Sequence, residues 1–165
     1  MIALQITSLK NLMNQLLTGD AFDDFLLEEA TIRTAVTYTI DGHVYPDFYP
    51  MEERDTAAPY LLQPWSETKG LCFNLIKGRR TPLYFKFVFQ LKPEKTTLLL
   101  ERELPGTDHA PVKALVLTLK YDAQGSVLTT GTSYHTFVLG REIDALWDGT
   151  VRKYLSARGI PFELL

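Results

Sequence analysis

Ser133 and His135 are the pair of residues in this sequence that most resembles a nucleophile beside a general base. Two positions apart on a strand, they point to one face but stand about 6.6 Å apart along it. A working nucleophile and base must approach to about 3 Å. The G-x-S-x-G sequence that holds a nucleophile on a sharp turn is absent as well. We therefore predict no catalytic residues.

The other titratable residues follow no metal-binding or cofactor-binding pattern. His43, His109 and His135 are isolated in sequence, and no ligand spacing surrounds Cys72. Five acids lack the D-x-D-x-D-G spacing of a calcium loop; they are Asp20, Asp23, Asp24, Glu28 and Glu29. The glycine patterns of phosphate loops and dinucleotide sites are missing. We predict neither a metal nor a cofactor.

One basic turn, Lys77 to Arg80, combines dense positive charge with the nearby aromatic Tyr84. Phosphates and single-stranded nucleic acids bind to such combinations. The same cations follow a predicted helix, where they stabilise the carboxyl end of its dipole and Gly78 ends it. The structural role is the favoured interpretation, and weak anion or nucleic-acid binding through residues 77–80 is the third functional hypothesis.

Five polar or aromatic residues would form a ligand site if the fold brought them into one cleft. Titratable side chains that converge in a cleft mark functional sites. These candidate ligand-binding residues are His43, Tyr45, Arg79, Arg80 and His135.

The first third of the chain predicts a strand, a helix and a hairpin. Ile2, Leu4 and Ile6 alternate, and Ser8 then caps a helix with leucines at helical spacing that ends before Gly19. Residues 25–40 predict a strand, and Asp41-Gly42 a two-residue hairpin turn. That turn would pair Ile40 with His43 and Tyr38 with Tyr45.

Residues 46–64 contain four prolines and no sustained period, so they predict a loop. A connection of that length is uncommon, which leaves a lid, a binding loop, a disordered excursion or a short helix near 51–58. Ser66 can cap a helix running to Lys77. Its inward-facing residues would be Leu71, Cys72, Leu75 and Ile76.

The second half alternates between strand and helix patterns. Residues 83–91 give the clearest half-buried strand, and Pro93 begins a helix through Leu100, with a strand over 96–100 as the alternative. Residues 115–121 and 127–138 predict two strands joined by a turn at Asp122 to Gly125. The last helix carries an apolar stripe with Trp147 at its middle and stops at Gly159.

These elements predict an α+β fold, an antiparallel sheet of hairpins with N-terminal, middle and C-terminal helices packed on it. The 165 residues, 45% of them hydrophobic, fit one domain over 1–165. A net charge of −3 disfavours nucleic acid and anionic membranes as partners. One cysteine, no long apolar run and no basic leader predict a cytoplasmic protein.

Four segments of the chain resemble a family of short uncharacterised proteins from Gram-positive gut bacteria. The segments are Met13–Leu17, Tyr38–Gly42, Leu75–Pro82 and Thr130–Ser133. The resemblance covers most of the chain. That family is known only as a domain of unknown function, so the resemblance implies no catalytic or binding residue.

The functional hypothesis that the sequence favours is a non-catalytic module for a small molecule or a partner protein. It would use one face of the sheet or a cleft under the 46–64 loop. A small enzyme with dispersed site residues is the alternative. The sequence identifies neither a specific partner nor an oligomeric state.

Overall fold

The computed structural model describes residues 1–165 and has the predicted α+β architecture. Eight strands form one antiparallel sheet, and five helices accompany it. The strands are β1 (Ala3–Ile6), β2 (Phe25–Arg33), β3 (Thr37–Asp41), β4 (Gln63–Pro64), β5 (Tyr84–Leu91), β6 (Val112–Asp122), β7 (Gly125–Tyr134) and β8 (Phe162–Leu164). The helices are α1 (Leu9–Leu17), α2 (Arg54–Ala57), α3 (Trp65–Ile76), α4 (Pro93–Glu103) and α5 (Glu142–Ala157).

The strands lie in the order β3, β2, β5, β6, β7, β1, β8, and β4 also pairs with β2. On β5, Phe85, Phe87 and Phe89 are buried because alternate residues of a strand share one face. The residues of β6 that pair with them, Tyr121, Leu119 and Leu117, extend this apolar face. The sheet therefore presents one continuous apolar face to the helices.

The helices cover this face through their own apolar residues. Ser8 caps α1 as predicted, its hydroxyl accepting from the Asn11 N–H at 3.4 Å. Trp65 of α3 is fully buried, with its ring 5.0 Å from that of Phe89 between centroids and its indole N–H donating to the Leu16 carbonyl at 2.9 Å. Trp147 of α5 is buried as predicted.

The predicted hairpin turn at Asp41-Gly42 is wrong. The strand expected over 25–40 is two strands, and Ile40 pairs with Ala30 and Tyr38 with Ile32, not with His43 and Tyr45. The chain reverses instead at residues 34–36, where the Thr34 N–H donates to the Val36 carbonyl. Gly42 directly follows β3, and because it has no side chain it can lie close to the backbone of β2 at Leu27.

Two other boundaries differ from the sequence predictions, and one alternative for residues 46–64 is confirmed. Helix α3 begins at Trp65, so Ser66 lies inside it and does not cap it, and Leu71 faces outward with 53% of its surface exposed. The strand expected to reach Val138 ends at Tyr134, since its partner β6 begins only at Val112. The 46–64 segment contains two 3-10 turns and α2, which confirms the short-helix alternative.

Cys72 of α3 is fully buried, and burial raises the pKa of its thiol to about 12. We expect a thiol reagent at pH 8 to label it about 1000-fold more slowly in the folded protein than in urea, because the thiolate is the reactive form.

The unfolded Cys72 thiol ionises near pH 9, so the free energy of unfolding should also fall as pH rises from about 9 to about 12. Labelling rates and urea unfolding curves measure both effects. Fast labelling under native conditions would contradict the burial.

Candidate ligand-binding cleft

A cavity of about 270 Å³ lies between α4, α5 and the sheet, and we call it the α4–α5 cleft. Strand β6 supplies Leu117, and α5 supplies Trp147 and Val151, which its 3.6-residue period turns toward the sheet. Phe25 at the start of β2 closes one wall, with its ring 6.3 Å from that of Trp147. Most of the lining is apolar, which is typical of small-molecule sites.

Helix α4 contributes two neighbouring leucines to the cleft in different ways. Leu99 is buried, whereas Leu98 has 61% of its surface exposed and stands at the mouth. Three consecutive leucines, residues 98–100, cannot all face the sheet, since each position turns the helix by about 100°. Leu98 is the one of the three that does not face the core, and its apolar side chain therefore lies beside the cleft.

The hydrogen-bond donors of the cleft interior already have partners in the protein. The Trp147 indole N–H donates to the Val116 carbonyl at 2.8 Å. The Thr150 hydroxyl donates to the Leu146 carbonyl at 2.8 Å. The Tyr154 hydroxyl donates to the Ala21 carbonyl, and burial raises the pKa of Tyr154. The interior thus presents hydrocarbon and aromatic faces.

Charged groups stand at the edge of the cleft. Lys95 lies 3.7 Å from the Asp24 carboxylate, with both side chains about half exposed. Arg102 bonds the adjacent Glu103 through its Nε at 2.7 Å. These groups can contact a ligand only where it reaches solvent.

A second, more polar basin of about 470 Å³ adjoins the cleft. The two share Arg102, Thr150 and Tyr154. Gly149 and Lys153 of α5 line only the basin. An apolar interior therefore continues into a polar region along one face of α5.

The five residues proposed from the sequence lie on the surface and do not line the α4–α5 cleft. Tyr45 is 73% exposed, and the His43 ring bonds Asp41 at 2.6 Å. The backbone N–H and the ring of His43 both bond to the Asp41 carboxylate and lower its pKa. Both His43 and Tyr45 follow β3 in the chain.

Arg79 and Arg80 lie at one end of the sheet and His135 lies at the other, and all three are separate from His43 and Tyr45. The arginines precede β5, whereas His135 follows β7, which runs parallel to β5 with β6 between them. The start of β5 and the end of β7 are at opposite ends of the sheet. Both arginines and His135 are exposed. The fold therefore does not gather the five residues into one cleft.

The residues that form the cleft and the adjoining basin were missed as site residues by reasoning from the sequence. Two signals for them were present: the consecutive leucines 98–100, and Gly149 in the middle of a 16-residue helix. A glycine there disfavours the helix by about 1 kcal/mol, which suggests a reason to omit a side chain. Neither signal indicates that α4 and α5 stand side by side.

No group of three or more His, Cys, Asp or Glu side chains is arranged to hold a metal ion. None of the five helices combines the length and the apolar character needed to cross a bilayer.

Comparison with known proteins yields a family and no described relative. The sequence model of DUF5721, a family of unknown function, matches residues 15–163. Three of the four segments that carried the resemblance lie within that match. No curated protein and no solved structure matches the chain.

Proposed function

We propose that this chain, which belongs to the family of unknown function DUF5721, is a non-catalytic binding protein that holds a small apolar molecule in the α4–α5 cleft. The observation that carries the proposal is that the polar side chains inside the cleft already donate hydrogen bonds within the protein. Trp147, Thr150 and Tyr154 each donate to a backbone carbonyl. A ligand inside would contact apolar surface without breaking a hydrogen bond.

The size and edge of the cleft support a small ligand. Its volume of about 270 Å³ lies near the lower end of ordinary small-molecule sites. Leu98 leaves apolar surface exposed at the mouth, and covering such surface contributes about 25 cal/mol for each Å² removed from water. A ligand that fills the cleft and covers Leu98 would gain binding free energy from the contacts inside the cleft and from the removal of Leu98 from water.

The same arrangement supports binding rather than catalysis. A general acid or base must reach the reacting group within hydrogen-bond distance. The titratable side chain deepest in the cleft is Tyr154, whose hydroxyl is engaged with Ala21 and whose pKa burial raises. Asp24 and Lys95 face each other at the rim. The interior offers no group poised to exchange a proton near neutral pH.

We also infer that the protein acts in the cytoplasm. Support comes from Cys72, a free and fully buried cysteine that serves as a core residue. Disulfides typically stabilise small secreted domains, and this chain builds its core of 27 buried residues without one.

A neutral fluorescent probe tests the proposal directly. We expect N-phenyl-1-naphthylamine to bind and brighten, and Thr150→Phe to weaken its binding by about tenfold or more, because the new ring would occupy the cleft. Arg152→Phe adds the same ring to the exposed side of α5 and should leave binding unchanged. Fluorescence titration gives both affinities.

A second variant covers the case in which Thr150→Phe fails to fold. Leu98 is exposed, so Leu98→Gln should retain the fold and weaken probe binding by about threefold through lost apolar contact. Absence of probe binding to the wild-type protein, or equal binding by the wild type and both cleft variants, would refute the proposed function.

A further inference from the structure

We propose that the ligand of the α4–α5 cleft is an amphipathic monoanion, an apolar chain that ends in a carboxylate held in the adjoining basin. This inference rests on the proposed function, because the apolar chain would occupy the cleft. It adds the chemical class of the head group. Arg102, Lys153 and Gly149 line this basin.

Arg102 stands where the cleft and the basin meet, since it lines both. Its bond to Glu103 uses Nε, and its two terminal nitrogens make no hydrogen bond in the protein. Guanidinium nitrogens bind carboxylates through paired, parallel hydrogen bonds. Arg102 is therefore placed to hold a carboxylate at the end of a chain that lies in the cleft.

Lys153 supplies a second cation from α5, on the same basin. It makes neither an ion pair nor a hydrogen bond with the protein, although the chain carries more acidic than basic residues. Arg102, Lys153 and Glu103 together give the basin one net positive charge. The Glu103 carboxylate beside Arg102 repels a second negative charge, which favours a carboxylate over a doubly charged phosphate monoester.

Gly149 provides the space for the head group. It lies in the middle of α5 and lines the basin, and a Cβ at this position would meet no atom within 4 Å. The helix gains nothing from glycine there, since alanine would favour it by about 1 kcal/mol. The open space beside the Gly149 backbone lies between α4, which carries Arg102, and α5, which carries Lys153. A carboxylate would occupy this space.

Matched eight-carbon ligands separate the head group from the chain. We expect calorimetry to show octanoate binding about tenfold more tightly than octanol, and octyl phosphate binding no more tightly than octanoate. The double variant Arg102→Gln with Lys153→Gln should bind octanoate no more tightly than it binds octanol. Arg152→Gln removes a neighbouring exposed cation from α5 outside the basin and should change neither affinity.

The outcomes distinguish the two proposals. Equal affinities for octanoate and octanol would overturn the carboxylate assignment and leave the apolar cleft supported. Tighter binding of octyl phosphate would also overturn it. Binding of none of the three ligands, together with no binding of the neutral probe, would refute the cleft itself. A preference for octanoate that survives in the double variant would exclude Arg102 and Lys153 as its source.

Discussion

Replacing Trp147 by alanine should lower the free energy of unfolding by about 3–5 kcal/mol. Only 3% of the Trp147 surface is exposed, and its ring packs near Phe25 with 6.3 Å between centroids. The variant also leaves the Val116 carbonyl without the indole donor that it accepts from at 2.8 Å. Urea unfolding followed by circular dichroism measures the loss.

Two control variants separate core packing from a general effect of truncation. Trp147→Phe keeps an aromatic ring and should cost less than the alanine variant. Leu71→Ala removes an outward-facing leucine from α3 and should change the free energy of unfolding by about 0.5 kcal/mol or less. A loss below about 1 kcal/mol for Trp147→Ala would contradict the packing of α5 on the sheet.

Gly42→Ala should be the most damaging single-methyl substitution in the chain. A Cβ at this position would stand 1.8 Å from the Leu27 carbonyl oxygen, and both are backbone-fixed. Hydrogen bonds on both sides hold the segment: the Gly42 N–H donates to Glu28 at 2.9 Å and its carbonyl accepts from Gln63 at 2.8 Å. Separating the strands to admit the methyl should cost about 3 kcal/mol or more, measured by thermal or urea unfolding.

The matched control is an exposed glycine within a helix. Gly70 lies within α3, and an added Cβ would meet nothing within 4 Å. Gly70→Ala should therefore stabilise the protein by about 0.5–1 kcal/mol. Similar unfolding midpoints for Gly42→Ala and the wild type would show that β2 and the segment after β3 are not in close contact.

The elements with strong, sustained periods were predictable from the sequence. The alternating phenylalanines of β5 and the apolar stripe of α5 were recognised because local geometry alone decides which side chains share a face. The α+β class and the burial of Trp147 followed from these patterns. The confirmed cap at Ser8 also depends only on residues next to it.

The wrong hairpin shows where local signals mislead. Asp-Gly favours a tight turn, but glycine is also the residue that permits two backbones to approach closely. At Gly42 the second cause applies, and it is visible only when Leu27, fifteen positions earlier, is brought against it. The true reversal at 34–36 contains no glycine, proline, asparagine or aspartate, so its sequence carried no turn signal.

The candidate cleft could not be predicted for a related reason. Its walls come from β2, β6, α4 and α5, so it exists only once the strand order is known. The residues selected from the sequence were titratable and distributed along loops, whereas the cleft depends on apolar residues whose donors are internally satisfied. A sequence does not show which hydroxyl or indole has already found a carbonyl.

The position of β1 affects how the chain can reach this fold during synthesis. Leu4 pairs with Leu128 on β7 and with Leu164 on β8, so the first strand lies between two of the last strands to be made. Closing such a long loop has a large entropic cost before any contact is gained, and distant pairings slow folding. The pairs β2–β3 and β6–β7 join strands that are neighbours in sequence and can form early, whereas β1 can pair only after β7 has been synthesised.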